Sequence, residues 1–204
     1  MVGPGKINVV GVVLAGGAGR RMGRDKALVE VAGRPMLDWG VEALGSVTGE
    51  VVVSGEPRAR WSGRLRFVED TGASRRGPLS GISAVMEHVG GDSLLVVVGV
   101  DQPWVRPGTL QSIVDRFEQL PVVPVPDGVR QTTCAAYPST HALVAIRELN
   151  AGGSIQSMLD RTAFDPFTEA DLESCGEDGR SWFSVNTPGD LDQGMDRYGP
   201  PLGE

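Results

Sequence analysis

One stretch of this sequence concentrates glycine and positive charge directly after an apolar run. It reads VVLAGGAGRRMGRDKALVEVAG and spans residues 12–33. Gly16 and Gly17 have no side chains that would cover their backbone N–H groups. Successive N–H groups of this kind can form a nest that binds anions. Arg21 and Lys26 follow shortly after and can add charge-assisted hydrogen bonds to phosphate oxygens. This pattern predicts that the stretch binds a phosphate chain.

Two familiar phosphate-binding motifs do not fit this stretch. No Gly-x-x-x-x-Gly-Lys-Ser/Thr pattern can be written onto it, so it is not a P-loop. Gly17 and Gly19 would begin a dinucleotide-binding fingerprint, but Met22 stands where the third glycine belongs. From these residues alone, a tight turn before a solvated basic face stays open as the alternative to a ligand site.

The composition of the chain excludes several classes of protein. Its formal net charge is −7, whereas general nucleic-acid-binding proteins are usually basic, so no nucleic-acid partner is expected. No apolar run approaches the roughly 20 residues that a membrane span needs, so no membrane partner is expected either. The two cysteines, Cys134 and Cys175, form no zinc-binding motif, and this favours a reducing, cytoplasmic location.

The elements that must position these residues alternate between strand and helix patterns. Apolar runs predict strands at 7–14, 50–55, 64–70, 93–100, 121–126 and 131–138, and helical spacing predicts helices at 35–47, 78–89, 106–120 and 139–150. Residues 164–182 have a loop-like composition, and residues 182–198 predict a short strand and a terminal helix. Alternation of this kind predicts an α/β fold, here a single three-layer α/β/α domain with a mostly parallel, Rossmann-like sheet.

Polar residues cluster at the ends of three of the predicted strands. The Gly-rich stretch follows the first strand, Asp70 ends the strand at 64–70, and Asp101 follows the strand at 93–100. Ligands of open parallel sheets bind beyond the carboxyl ends of the strands. The three strand ends are therefore expected to line one cleft.

The Gly-rich stretch also carries a recognisable signature. Leu-Ala-Gly-Gly at 14–17, Arg-Met-Gly at 21–23 and Asp-Lys at 25–26 resemble the molybdenum cofactor guanylyltransferase family, whose fold is of the nucleotide-diphospho-sugar transferase type. Three further blocks resemble the same family and follow in the same order. They are Asp70 with Gly-Pro-Leu-x-Gly at 77–81, Asp-x-Pro from Asp101, and Asn-Thr-Pro from Asn186. The four blocks cover nearly the whole chain.

The resemblance implies roles for particular residues. The backbone of the first strand end would meet the base and sugar of a nucleoside triphosphate, while Lys26 and Arg21 would counter the charge of its phosphates as catalytic residues. Asp101 would be catalytic as the ligand of Mg²⁺, which takes oxygen ligands and is often held by one or two carboxylates. The nucleotide-binding residues implied in this way are Leu14, Ala15, Gly16, Gly17, Lys26, Ser54, Asp70 and Asp101.

The activity that the resemblance implies is transfer of GMP from GTP to the terminal phosphate of molybdopterin (Mo-molybdopterin), which releases pyrophosphate. Because a phosphate monoester is already ionised near neutral pH, such a reaction needs alignment and charge neutralisation rather than a general base. Residues of about 1–105 would bind GTP, and residues of about 106–200 would bind the acceptor, with Arg130 and Gln131 facing the pterin. Transient contact with other proteins of molybdenum cofactor synthesis is a further expectation.

Several alternatives stay open at this point. The chain could transfer CMP to the same pterin, act on another small phosphate such as phospholactate, or be a non-catalytic nucleotide-binding protein. The Gly-Pro-Leu-x-Gly block at 77–81 resembles the guanylyl branch more than the cytidylyl branch, and the presence of both Lys26 and Asp101 argues against a mere binder. Arg75 and Arg76 would either meet the phosphate of the second substrate or belong to the solvated surface.

Overall fold

The computed structural model describes residues 7–16, 25–69 and 77–202, and a seven-stranded sheet forms the centre of this part of the chain. The strands, in chain order, are β1 (Asn8–Leu14), β2 (Glu30–Val31), β3 (Arg34–Pro35), β4 (Glu50–Ser54), β5 (Arg66–Val68), β6 (Ser93–Gly99), β7 (Val122–Pro124), β8 (Cys134–Pro138) and β9 (Asp165–Phe167). The sheet has the order β5-β4-β1-β6-β8-β7-β9, and β2 pairs with β3 in a separate hairpin. Only β8 runs antiparallel to its neighbours in this sheet.

Helices cover both faces of the sheet. They are α1 (Met36–Gly45), α2 (Gly77–Val89), α3 (Pro107–Arg116), α4 (Ala142–Asn150), α5 (Ile155–Arg161), α6 (Glu169–Ser174) and α7 (Pro188–Tyr198). Apolar residues of α2, α4 and α5 form a core on one face, and those of α1 and α3 form a core on the other. Among the helices of the described residues, none has the length and apolar character needed to cross a bilayer.

The central strand β6 explains why the sheet needs two covering layers. All of its residues are buried, and its side chains alternate between the two faces of the sheet. Leu95 and Val97 pack in the core beneath α2 and α4, whereas Val96 and Val98 pack in the core beneath α1 and α3. Complete burial of one such side chain contributes about 1.5–3 kcal/mol, so a continuous apolar strand of this kind is stable only between two layers.

The α/β class and the mostly parallel sheet are confirmed, and so are most of the elements predicted before residue 150. The strands predicted there correspond to β1, β4, β5, β6, β7 and β8, and the helices correspond to α1, α2, α3 and α4. The hairpin of β2 and β3 was not predicted, because each of its strands has only two residues and shows no alternation.

After residue 150 the predicted terminal helix is confirmed as α7, but most of the remaining prediction was wrong. Residues 164–182, predicted as a loop, contain β9 and α6, and the helix α5 was not predicted at all. These elements are short, and β9 contains Pro166, so neither helical nor strand periodicity develops in the sequence. The short strand predicted before α7 does not form, although Val185 donates a backbone hydrogen bond to the carbonyl of Asp101 at 2.8 Å.

The two cysteines are free and differ in their surroundings. Cys134 is completely buried at the start of β8, and burial raises the pKa of its thiol well above the usual range. Cys175 is only half-buried. Because the thiolate is the reactive form, we expect Ellman's reagent to modify only Cys175 in the folded protein and both cysteines in guanidinium chloride. Rapid modification of Cys134 in the folded protein would contradict this prediction.

Candidate active site

Three strands end side by side at one edge of the sheet. Leu14 of β1 pairs with Ser54 of β4 on one side and with Gly99 of β6 on the other. Backbone hydrogen bonds continue past the strand ends, from the Ala15 N–H to the Ser54 carbonyl at 2.8 Å and from the Val100 N–H to the Leu14 carbonyl at 3.0 Å. We call this part of the sheet the site edge. It has the position at which open parallel sheets bind their ligands.

The ammonium nitrogen of Lys26 lies beside the site edge and is hydrogen-bonded to both Asp101 and Asn186. The Nζ atom of Lys26 donates to Oδ2 of Asp101 at 2.9 Å and to Oδ1 of Asn186 at 2.8 Å. The Lys26 side chain is 18% exposed and that of Asp101 is 28% exposed, so solvent screens this ion pair less than it screens a surface pair. Residues from three distant parts of the sequence thus form one polar cluster.

A capped turn positions Lys26. Asp25 is the N-cap of a short 3-10 helix, Lys26–Leu28, and its Oδ1 atom accepts a hydrogen bond from the Ala27 N–H at 3.0 Å. Aspartate suits this position because its side chain satisfies an N–H group that has no partner in the helix. Ala27 is fully buried against the core under α1, so the turn is fixed on both sides of Lys26.

The chain around Asp101 is fixed by its neighbours. The buried Gln102 accepts a hydrogen bond from the Gly99 N–H at 2.8 Å through its side-chain oxygen. The Val185 N–H donates to the Asp101 carbonyl at 2.8 Å. A Cβ atom on Gly99 would lie 2.7 Å from Oδ1 of Asp101, so a side chain there would displace this carboxylate from its present position.

A capping box at the start of α7 positions Asn186. Oδ2 of Asp190 accepts hydrogen bonds from the N–H groups of Asn186 and Thr187, both at 2.7 Å, and the Thr187 side chain accepts one from the Asp190 N–H at 3.3 Å. The hydrogen bonds from the backbone of Asn186 and Thr187 lower the pKa of Asp190, which keeps this carboxylate ionised at neutral pH. Pro188 fits the first turn because it has no N–H group to satisfy.

Gly194 of α7 packs closely against Trp104, and this contact positions the helix. A Cβ atom on Gly194 would lie 2.3 Å from the ring of the buried Trp104. We expect Gly194→Ala to lower the free energy of unfolding by about 1–3 kcal/mol through overpacking. Alanine also adds roughly 1 kcal/mol of helix propensity, so the expected net loss is up to about 2 kcal/mol. Urea titration measures the change.

Gly189→Ala is the matched control for this prediction. It lies in the same helix, but the nearest atom to its Cβ would be Oγ1 of Thr187 at 3.8 Å, which is an ordinary contact. The control is expected to keep or slightly raise the stability. Equal stability of the Gly194 and Gly189 variants would show that Trp104 does not fix α7.

The nucleotide-binding residues predicted around β1 and β4 lie together at the site edge. Ala15 and Ser54 are buried, whereas Gly16 is exposed and can present its backbone to a ligand. The neighbouring Gly55 has a φ of +143°, and a Cβ atom there would lie 3.1 Å from the Ala15 carbonyl group. Glycine therefore allows the backbones after β1 and β4 to approach closely.

The remaining predicted residues fall into two groups. Gly17, Arg21, Asp70, Arg75 and Arg76 lie outside the described residues. Arg130 and Gln131 lie between β7 and β8, on a segment that reaches the site edge through the hydrogen bond from the Gly99 N–H to the Thr133 carbonyl at 2.9 Å. Arg130 pairs there with Asp160 at 2.6 Å.

Sequence reasoning missed Arg58, which contacts two residues of the Gly-rich stretch, Ala15 and Asp25. Its guanidinium donates to the Asp25 carboxylate and to the Ala15 carbonyl. The position of Arg58 shortly after β4, another strand ending at the site edge, is the only signal in the sequence that could have indicated it. No motif surrounds this residue.

The donor atoms at the site edge fit a magnesium ion. The oxygens of Asp101 and Asn186 already converge on one cationic group, the Lys26 ammonium. Mg²⁺ prefers oxygen ligands and is usually held by one or two carboxylates together with substrate phosphates and water. Within the described ranges, no group of three or more His, Cys, Asp or Glu residues is arranged around a metal position. A protein contribution of one carboxylate and one amide matches that mode of binding.

The fold and the family that the chain matches together identify it as a nucleotidyltransferase. A family model described as the MobA-like NTP transferase domain matches residues 11–166. The chain belongs to this family, so the resemblance drawn from the four sequence blocks is confirmed.

Individual relatives agree with this assignment. The chain is 32% identical over 189 residues to a probable molybdenum cofactor guanylyltransferase of Pelotomaculum thermopropionicum, covering 91% of each chain. It is 30% identical over 205 residues to a molybdenum cofactor guanylyltransferase of Rhodobacter capsulatus, covering 94% of this chain and 97% of that one. Both relatives match along nearly their whole length.

Solved structures share the fold. The molybdopterin-guanine dinucleotide biosynthesis protein A of Archaeoglobus fulgidus superposes with a TM-score of 0.78 at 25% identity, over 92% of this chain and 97% of that one. A 2-C-methyl-D-erythritol 4-phosphate cytidylyltransferase of Thermus thermophilus superposes with a TM-score of 0.68 at 18% identity, over 93% and 98% of the two chains. The second likeness shows the shared fold alone.

Proposed function

We propose that this protein transfers GMP from GTP to the terminal phosphate of molybdopterin, forming molybdopterin guanine dinucleotide and pyrophosphate. The observation that carries this proposal is the meeting of Lys26, Asp101 and Asn186 at the site edge. The names of the relatives from Pelotomaculum thermopropionicum and Rhodobacter capsulatus support guanine as the base and the molybdenum cofactor as the acceptor.

The proposed reaction is a displacement at the α-phosphorus of GTP. An oxygen of the acceptor phosphate forms a bond to this phosphorus, and the bond from the phosphorus to the β-phosphate oxygen breaks to release pyrophosphate. Since the acceptor oxygen is already ionised, the protein has to align two polyanions and offset their repulsion. The absence of a nucleophile or general base among the proposed catalytic residues agrees with this requirement.

Each residue of the site has a proposed part in this reaction. The backbone of Leu14 to Gly16 would hold the base and ribose at the site edge, with Ser54 beside it. Lys26 would bind the β- and γ-phosphates, a role that Arg21 would share. Asp101 and Asn186 would hold Mg²⁺, which neutralises charge on the triphosphate when it is bound.

The two halves of the chain divide this work in our proposal. Residues up to about 105 would bind GTP, because the strand ends and Lys26 belong to them. Residues of about 106–200 would bind the acceptor, and the segment with Arg130 and Gln131 would form one wall of its site. We place the reaction in the cytoplasm, the location that the two free cysteines favour.

Calorimetry of the purified protein with GTP, CTP, ATP and UTP in the presence of Mg²⁺ tests this proposal. A clear preference for GTP, followed by release of pyrophosphate when molybdopterin is added, would support it. A preference for CTP would instead favour CMP transfer on the same fold. No binding of any of the four nucleotides would overturn the assignment of the site.

A further inference from the structure

Arg58 joins three separate segments beside the candidate site. Its Nη2 atom donates to the Ala15 carbonyl at 2.9 Å and to Oδ1 of Asp25 at 3.1 Å. Its Nε atom donates to Oδ2 of Asp25 at 2.5 Å, and its Nη1 atom donates to the Glu56 carbonyl at 3.0 Å. One guanidinium thus makes four hydrogen bonds, and two of them form a bidentate pair with one carboxylate.

The surroundings of this pair separate it from ordinary surface ion pairs. The Arg58 side chain is only 15% exposed, whereas Arg66, which pairs with Glu50 at 3.2 Å, is 59% exposed. Partial burial acts to raise the pKa of Asp25, but hydrogen bonds from Arg58 and from the Ala27 N–H outweigh it, and the pKa lies below its usual value. Asp25 is therefore fully ionised at neutral pH.

The contacts of Arg58 fix the position of Asp25 relative to Ala15, beside the candidate nucleotide site. Asp25 directly precedes Lys26 and caps the turn that carries it, while Ala15 directly precedes the exposed Gly16. A planar, rigid fork of donors can hold such a carboxylate and such a carbonyl in one relative position. Arg58 thereby connects Ala15 and Asp25, which are ten positions apart within the Gly-rich stretch.

We infer that Arg58 is a positioning residue that holds Asp25, and with it Lys26, in a fixed place beside the backbone of Ala15 and Gly16. This inference rests on the proposed function, in which Lys26 binds the β- and γ-phosphates of GTP. Arg58 acts through Asp25 and the Ala15 carbonyl. Loss of its side chain should weaken the binding of the phosphate chain more than the binding of the base and ribose.

Calorimetric titration of Arg58→Met with GTP and with GMP tests this inference. Removal of a residue that orients a metal ligand typically costs about 10- to 100-fold in metal affinity or activity, and by analogy we expect a loss of this size for GTP binding. The loss for GMP should be clearly smaller, because GMP lacks the phosphates that Lys26 would bind. A purely structural role of Arg58 would not separate the two nucleotides.

Two further variants examine the same contact from both sides. Asp25→Asn keeps an oxygen for the Ala27 N–H but loses the charge that pairs with Arg58. Its affinity for GTP should therefore also fall more than its affinity for GMP. Arg58→Lys keeps the positive charge but lacks the fork of donors, so it should not restore GTP binding. Arg66→Met removes an exposed arginine from β5 and is the matched control, expected to bind GTP as the native protein does.

The possible outcomes distinguish this inference from the proposed function. GTP binding by the native protein, with a selective loss in Arg58→Met and Asp25→Asn, would support the inference. Equal losses for GTP and GMP, unchanged GTP binding in Arg58→Met, or full rescue by Arg58→Lys would overturn the inference while leaving the proposed function intact. Failure of the native protein to bind GTP would overturn both.

Discussion

Asp101→Asn is expected to lower the rate of pyrophosphate release by roughly 10³-fold, since the substitution removes the only charged oxygen donor proposed for Mg²⁺. The asparagine side chain has almost the same shape and can still accept the hydrogen bond from Lys26. The fold should therefore persist, and the loss should appear in kcat. Steady-state assays with GTP, molybdopterin and Mg²⁺, read through released pyrophosphate, measure it.

Asp178→Asn is the matched control for the Asp101 variant. Asp178 also pairs with a cation, Arg180 at 2.8 Å, but the pair is partly exposed and Asp178 contacts neither Lys26 nor Asn186. The control should retain native activity. A second readout is the Mg²⁺ concentration that gives half the maximal rate, which should rise in the Asp101 variant alone. Activity of Asp101→Asn within a few-fold of native would remove Asp101 from the proposed mechanism.

The sequence predicted the place of the site better than its internal contacts. Parallel strands bring their carboxyl ends to one edge, so the polar residues after β1 and β6 could be assigned to one site from the chain order alone. The hydrogen bond between Lys26 and Asp101 could not be predicted in this way, because it depends on how the turn at Lys26–Leu28 lies against the segment after β6. The periodicity of apolar residues carries no information about how a turn packs against a neighbouring segment.

Arg58 and Asn186 show two different reasons for incomplete prediction. Asn186 was found only through the Asn-Thr-Pro block, since the capping box of α7 that fixes it indicates a helix start rather than a ligand. Arg58 belongs to no block and directly precedes a short 3-10 helix, Ala59–Trp61, in the connection between β4 and β5. Its role depends on contacts among three segments that meet only in the folded chain. No pattern of residue spacing in the sequence therefore indicates it.

Lys26→Met is expected to have two effects of opposite sign. The first is a loss of turnover of about 10²- to 10³-fold, as for the removal of one positioned donor from a developing charge. Methionine keeps most of the length of the side chain but has no ammonium group to bind the triphosphate. Single-turnover measurements with saturating GTP separate this loss from any change in nucleotide affinity.

The second effect concerns the affinity of the free protein for a divalent ion. The Lys26 ammonium bonds the same two oxygens, of Asp101 and Asn186, that would hold Mg²⁺, so the ion has to compete with it. Lys26→Met removes this competitor. Without nucleotide, the variant should bind Mn²⁺ up to about fivefold more tightly, the factor that corresponds to an ion pair of about 1 kcal/mol. Electron paramagnetic resonance of free Mn²⁺ measures this affinity.

Measured together, the two effects identify the role of Lys26. If it served only to neutralise Asp101 in the folded protein, its removal would tighten Mn²⁺ binding and leave the GTP reaction nearly unchanged. If it bound only the triphosphate, turnover would fall and Mn²⁺ affinity would stay the same. Lower turnover together with tighter Mn²⁺ binding requires that Lys26 leave the oxygens of Asp101 and Asn186 when the nucleotide and its metal enter. The double variant Lys26→Met/Asp101→Asn should then lose the gain in Mn²⁺ affinity, because the carboxylate that both cations share is gone.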